Sequence, residues 1–376
     1  MHLGFTNRPD FSTGGGHVAR TGPGGPGTNG VAEQRASRSR RAATSTTVAE
    51  AVGVSQSTVS RALRGDPRVR EETRRLIAET AERLGYRPAW VSPVETAPTR
   101  TIGVVVSDLT NPFFPSLLTP VHDELRILGY RVALFAERTD IPTGQQALHN
   151  LLDRSIEGVL ATTATLDSQL TEALGERDIP LVLLNRYVDG LDVDRVVADN
   201  HRGGSAAARH VLQLGHHRIG VVRGPANTST SRDRHAGVLE TLAGAGVEID
   251  ERLVLEGPYT HQSGYQHALQ LLRLPEPPTA LLCGNDVIAF GAIDAAKSLG
   301  MRVPDDVSIV GFDDVPMASW EVFQLTTVRQ PLDEMARAAA RLLVERLEYD
   351  GDLGAGRERL FATSLVSRST TQPPRS

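Results

Sequence analysis

The chain has 376 residues, 40% of them hydrophobic and 23% charged. This excludes a disordered or fibrous protein and, at roughly 150 residues per domain, predicts two or three domains. A net charge of −5 taken alone argues against a nucleic-acid partner, yet residues 1–100 carry 15 arginines against nine acidic residues while residues 101–376 carry 25 basic against 36 acidic. That asymmetry points to a basic binding module on an acidic body.

Residues 1–43 hold glycine clusters and an Arg/Ser run ending at Arg40 and Arg41, without helix or strand periodicity, and are predicted to be a disordered tail. Gly22, Gly24 and Gly27 formally match G-x-G-x-x-G, but no strand precedes them and prolines interrupt them, so a dinucleotide site is rejected. Helical periodicity runs through 44–88, with helices predicted at 46–52, 55–63 and 71–84. Gly53 and Gly85 are placed as left-handed helix stops. Val69, Thr73, Leu76, Ile77, Thr80 and Leu84 are predicted to form the inner stripe of the third helix. Residues 89–100, with Pro93 and Pro98, have linker composition.

From residue 101 short apolar runs alternate with amphipathic segments. Strands are predicted at 102–106, 132–135, 159–161, 181–184, 219–222, 253–255, 281–283 and 308–310. Buried-type strands alternating with helices imply a parallel sheet covered on both faces. Some 270 residues exceed one comfortable core, so 101–376 is expected to form two doubly wound lobes, with ligand chemistry at the carboxyl ends of the strands. The single cysteine, Cys283, excludes a disulfide framework and a cysteine zinc cluster. No signal-peptide pattern opens the chain and no apolar run approaches the ~20 residues of a membrane span. A cytoplasmic protein without membrane association is therefore expected.

Within the basic module, Thr47 to Leu63 reads T-V-A-E-A-V-G-V-S-Q-S-T-V-S-R-A-L. Ser55 is positioned to cap the second helix. At about 100° per residue, Gln56, Ser57, Ser60 and Arg61 share one outward arc while Val59 and Ala62 face Val48 and Ala49. Small hydroxyls, an amide and an arginine on one arc suit phosphates, adenine edges and guanine edges in a major groove. A generic helical hairpin with a solvated polar face would show the same periodicity.

This stretch, continuing through G-D-P-R-V-R-E-E-T-R-R-L-I-A-E-T-A-E-R-L-G-Y-R-P, resembles the lactose-repressor (LacI/GalR) family of bacterial transcription regulators. The resemblance covers essentially everything from Thr44 onward. It implies a three-helix helix-turn-helix domain followed by a two-lobed core like the type 1 periplasmic binding proteins, an α/β fold of doubly wound parallel sheets. By it, Gln56, Ser57 and Arg61 would read bases, and Ser55, Thr58 and Ser60 would hold phosphates. Ser45, Thr47 and Arg70 depart from the family pattern at the openings of the first and third helices. In the hinge, Ala89 to Glu95 (A-W-V-S-P-V-E) replaces the usual Ala/Leu/Arg helix whose leucine wedges into the minor groove. Either Ser92–Pro93 starts a displaced helix, or this hinge works differently.

The core carries further markers: T-I-G-V-V-V-S-D-L-T-N-P-F-F at Thr101 to Phe114, L-L-N-R ending at Arg186, G-N-D at Gly284 to Asp286, and V-P-D-D-V-S-I-V-G-F-D-D from Val303 to Asp314. L-T-T-V-R-Q-P from Leu325 and a closing L-V-S-R-S-T complete the set. Carboxylates, amides, an arginine fork and aromatic faces suit a small polyhydroxylated ligand. The resemblance places ligand contacts at Phe113, Phe114, Arg234, Tyr259, Asn285 and Asp313; Arg186 is predicted as a further effector contact, and Asp108, Asn111 and Asn185 are expected beside them. For Asp286 and Asp314, bracing the cleft loops is as good an account as ligand contact.

The function expected is a repressor, a homodimer or tetramer on a palindromic DNA operator, gated by a small effector, foremost a sugar, with no cofactor and no metal. A purine-like metabolite or a protein partner is the alternative effector. A solute-binding protein would leave the helical module unexplained. An enzyme lacks a nucleophile elbow, P-loop or metal frame; the pair His216–His217, before a strand, is expected to meet solvent.

Overall fold

A computed structural model describes residues 44–64, 66, 68–84, 86, 99–136, 155–166, 179–349 and 353–375. The predicted tail 1–43, the hinge around Pro93 and the stop at Gly85 lie outside the described residues. The chain divides into two compact units, Met1–Glu95 and Thr96–Ser376.

In the first unit, α1 (Ser45–Val52), α2 (Gln56–Leu63) and α3 (Glu71–Leu84) pack on one small core of Val48, Ala49, Val59, Ala62, Val69, Ile77 and Ala81. Helix α1 opens with a capping box: Thr44 Oγ1 accepts from Thr47 N, and Thr47 Oγ1 accepts from Thr44 N. The departure at Thr47 thus still closes the helix end. Gly53, with φ 73°, stops α1 in the left-handed conformation that a side chain resists. The inner stripe of α3 differs from expectation at two positions. Leu76 and Leu84 are exposed, whereas Thr80 and Ala81 are buried. The small residues are inside because α1 and α2 both press on α3, and only Ile77 among its large side chains has room beneath them.

The second unit holds two six-stranded sheets. The first has the order β11-β5-β4-β3-β1-β2, built from β1 (Thr101–Val106), β2 (Arg131–Ala136), β3 (Gly158–Ala161), β4 (Leu181–Leu184), β5 (Asp194–Ala198) and β11 (Glu358–Phe361). The second has β12-β10-β9-β8-β6-β7, from β6 (Ile219–Arg223), β7 (Val254–Glu256), β8 (Ala280–Cys283), β9 (Ser308–Asp313), β10 (Thr326–Arg329) and β12 (Ser364–Val366). All pairings are parallel except β10 with β12. The eight predicted strands are present; β5, β10, β11 and β12 were not predicted.

Alternation within the strands sorts the helices. In the first lobe Ile102, Val104, Leu160, Val182 and Val196 pack toward α4 (Phe113–Ile127) and α9 (Leu332–Glu348). In the second, Val221, Leu282, Val310 and Phe312 meet α5 (Asn200–Gln213) and α6 (Ser229–Gly244). Their neighbours Val222, Leu281, Cys283 and Ile309 meet α7 (His261–Leu272) and α8 (Asp286–Ser298) on the opposite face. The two helix pairs touch through backbone. A Cβ on Gly204 would lie 2.0 Å from the Arg234 carbonyl oxygen, and one on Gly264 would lie 2.1 Å from that of Ile288. The chain crosses between lobes three times: from β5 to α5, from β10 to α9 and from β11 to β12. His216 corrects the expected solvent-facing pair: it is buried, with Nδ1 bonded to Thr279 Oγ1 and Nε2 to the Gln372 carbonyl, each at 2.9 Å, and only His217 is exposed.

Among the described residues no helix is long and apolar enough to cross a membrane.

Candidate functional site

On α2 the sequence-predicted residues form one surface. Ser55, Gln56, Ser57 and Arg61 are exposed, Thr58 and Ser60 half-buried. Ser55 Oγ accepts from Thr58 N at 3.1 Å, a helix cap, and bonds the Ser57 and Thr58 hydroxyls at 2.9 and 2.8 Å. Arg61 folds back along the helix, Nε donating to the Ser57 carbonyl at 3.3 Å. Gln56 Nε2 donates to Ser45 Oγ at 2.9 Å. Ser45, a departure from the family pattern, therefore ties the amide of α2 to the start of α1. Ser55→Ala removes the cap and is expected to destabilise this unit by about 1 kcal/mol, read as a lowered unfolding midpoint of its helical circular dichroism.

In the second unit the carboxyl ends of both sheets face one cleft of about 800 Å³, within the range of small-molecule sites. Loops after β1, β3 and β4 bring Asp108, Asn111, Thr165, Asn185 and Arg186; those after β6, β7 and β8 bring Asn227, Thr228, Tyr259, Thr260 and Asn285. Every predicted effector residue lines it: Phe113, Phe114, Arg186, Arg234, Tyr259, Asn285 and Asp313. In both sheets the strand order reverses next to the strand that opens the lobe, β1 or β6, which is where open α/β sheets form a crevice.

The floor is a buried ion pair. Arg234 Nη2 donates to Asp313 Oδ1 at 3.1 Å, Nη1 to the Gly284 carbonyl at 2.7 Å and Nε to Asn200 Oδ1 at 2.8 Å. Gln330 Nε2 donates to the same Asp313 oxygen at 2.7 Å. Burial pushes the Asp313 carboxyl above its ordinary range, opposed by Arg234, Gln330 and Asn285. The Phe312 ring lies 3.7 Å from the guanidinium carbon of Arg234. Asp313 and Asn185 have φ of 112° and 75°, a region that non-glycine residues adopt at some strain.

The walls are aromatic and hydroxylic. Phe113 and Phe114 are both buried and meet edge to face at 5.4 Å. The Tyr259 ring stacks near Arg186, 5.9 Å away, and lies over Gly224, where a Cβ would fall 2.1 Å from a ring carbon. Asp108, exposed at the mouth, takes the backbone N–H and hydroxyl of Thr110 on Oδ1.

Asp286 and Asp314 take the bracing role. Asp286 is buried behind the cleft, accepting from Val315 N at 2.8 Å and the Thr327 hydroxyl at 2.5 Å, and burial raises its carboxyl well above the ordinary range. Asp314 pairs with Arg329 and Arg368.

Thr228, Thr260 and Asn200 escaped the sequence reading. The first two cap α6 and α7 from the cleft wall, and the third holds Arg234. A threonine just before each predicted helix was the available signal. A second set of contacts joins the lobes beside the cleft: the Tyr187 hydroxyl donates to Asp233 Oδ2 at 2.9 Å, Tyr187 N to Ser229 Oγ at 3.0 Å, and Arg232 pairs with Asp189.

Comparison with known proteins agrees with both units. Residues 46–89 match the family model described as bacterial regulatory proteins, lacI family. Residues 99–358 match that of periplasmic binding proteins and the sugar binding domain of the LacI family. The repressor CytR of Escherichia coli K12 is 31% identical over 342 residues, 90% of this chain and 99% of that protein. The repressor PurR of Erwinia tasmaniensis is 32% identical over 330 residues, 87% and 96% of the two chains. Among solved structures, a complex of the transcriptional regulator CelR with cellobiose has a TM-score of 0.67 at 31% identity, covering 87% of this chain and 99% of that one. A LacI family regulator from Enterococcus faecium with bound ribose has a TM-score of 0.64 at 28% identity, covering 73% and 100%. With a regulator-type helical unit and a two-lobed ligand core both matched, the chain belongs to the LacI family of bacterial regulatory proteins.

Proposed function

We propose that the chain is a cytoplasmic transcriptional repressor that binds a palindromic operator as a homodimer and is gated by a sugar in the cleft of its core. Two-fold protein symmetry calls for two half-sites, each read by α2. Residues 44–88 serve as the reading head, 89–100 as the hinge and 101–376 as the effector and dimerisation core. Gln56, Ser57 and Arg61 contact bases; Ser55, Thr58 and Ser60 contact phosphates. The core acts by binding and not by catalysis.

The observation that carries the sugar assignment is the cleft lining. Aromatic side chains of Phe113, Phe114 and Tyr259 line the same cleft as the amides and hydroxyls of Asn185, Thr230 and Asn285. That is the pairing a sugar ring demands, with C–H groups on one side and hydroxyls around its edge. Cellobiose and ribose in the two solved relatives support it. An effector that prefers one lobe arrangement shifts operator affinity by its differential binding, commonly about 1–3 kcal/mol.

A thermal-shift screen of sugars and purines, followed by gel-shift titration on the promoter beside the coding gene, tests this. A sugar that raises the midpoint and changes operator affinity is expected; a midpoint moved by purines alone would overturn the sugar assignment. Arg61→Ala is expected to weaken operator binding by about 1–3 kcal/mol and relax preference at one base position. Uniform weakening across operator variants would reduce Arg61 to a phosphate contact.

A further inference from the structure

The cleft has paired its most deeply buried charges before any ligand arrives. Among the described residues that line it, four are charged, two of each sign: Asp108, Arg186, Arg234 and Asp313. Arg234 has five N–H groups. Three are taken by Asn200, Gly284 and Asp313, and the Phe312 ring covers its guanidinium. Its charge is balanced by Asp313, which is only 4% exposed. A guanidinium that clamps phosphate must present parallel N–H groups without a competing carboxylate. Arg234 has that carboxylate at 3.1 Å. Arg186 donates through Nη1 to the Thr163 carbonyl at 3.4 Å and stacks near Tyr259.

Helix ends are the other natural anion sites, and α6, α7 and α8 all open at this cleft. Each is already capped from within. Thr228 accepts from Ser231 N at 3.3 Å, Thr260 from Ser263 N at 3.2 Å and Asn285 from Ile288 N at 3.0 Å.

One group in the wall of the cleft asks for a donor. Asn185 Oδ1 is buried in the wall without a hydrogen-bond partner. A buried acceptor without a donor is costly, and a phosphate dianion brings only more acceptors. A hydroxyl brings the missing O–H.

From this we infer that the effector is an uncharged, hydroxyl-bearing sugar and that the phosphate ester of the same sugar is rejected. The inference rests on the sugar assignment above. Among the described residues that line the cleft, an entering phosphate would face Asp313 and Asp108, an Arg234 already paired with Asp313, and an Arg186 already engaged with the Thr163 carbonyl and the Tyr259 ring.

The test is isothermal titration of the full chain with cellobiose, ribose and glucose, with ribose 5-phosphate and glucose 6-phosphate, and with inorganic phosphate, at low and raised ionic strength. Any neutral sugar that binds should bind roughly tenfold or more tightly than its ester, with an affinity insensitive to salt. An ester that binds as tightly as its parent, or whose binding falls steeply with salt, overturns the inference while leaving the sugar assignment standing. The inorganic phosphate arm decides the charge claim independently: no heat beyond that of matched chloride is expected, and saturable phosphate binding would overturn it. Binding of purines with no sugar response would instead remove the sugar assignment.

Discussion

Replacing Asp313 by alanine is expected to lower the unfolding free energy of the core by about 3–5 kcal/mol and to abolish the effector response. The carboxylate is buried and accepts from Arg234 and Gln330 on one oxygen. Its removal leaves Arg234, a residue only 7% exposed, without its counter-charge. The loss of one partner of a buried pair exceeds what the pair contributes, because the remaining charge stays desolvated. Asp313→Asn keeps an acceptor for Arg234 and should lose less stability. Urea denaturation followed by gel shift with and without sugar reads both effects. A mutant with an unchanged urea midpoint and full induction would remove Asp313 from the floor of the site.

The second large effect is steric. Gly204→Ala places a Cβ 2.0 Å from the backbone oxygen of Arg234, and neither helix can yield by turning a side chain. Parting α5 from α6 should cost about 1–3 kcal/mol or more and shift Arg234 off its three partners. Gly244→Ala, at the end of α6 with nothing within 4 Å of the added carbon, is the matched control and should be neutral or slightly stabilising. Thermal unfolding of the two variants with and without a bound sugar separates them. Equal midpoints would mean that the helices tolerate separation and that Arg234 is positioned from elsewhere.

Local signals were enough for much of this architecture. The turn at Gly53, the cap at Ser55 and the inward Val59 and Ala62 all lie within one helix hairpin, where periodicity alone sorts the faces. The eight predicted strands are apolar runs, six of them buried and β2 and β7 at the sheet edges only half-buried or exposed, so composition marked them. The four missed strands are of another kind. β11 (E-R-L-F) is almost wholly exposed, and β5 and β10 mix polar or charged residues with two or fewer large apolar ones. Their place is dictated by pairing with distant strands, which no local window registers. Leu76 is exposed and His216 buried for the same reason: a leucine on the flank of α3 finds nothing to pack on, while a histidine after a glycine turn meets Thr279 and the C-terminal segment at Gln372. The cleft residues taken from the motifs all converge: Arg186, Tyr259, Asn285 and Asp313 stand at or just past strand ends, and Phe113, Phe114 and Arg234 lie on helices that open at the same cleft. Asn200, Thr228 and Thr260 belong to the helix starts opposite, and their proximity to the floor and walls is a tertiary fact.

The three crossings between the lobes have a mechanical consequence. All three leave from β5, β10 and β11, at one edge of the paired sheets, and β2 and β7 form the opposite edge. Two bodies strung together along one border swing like a book on its spine. Arg234 and Asp313, both held within one lobe, keep their distance through such a swing. Asp108 and Tyr259 stand on opposite covers, and the space between them changes with the angle. A ligand group that bridges those two pages works at the long arm of the lever, so a modest contact there biases the angle more than a strong one beside the spine.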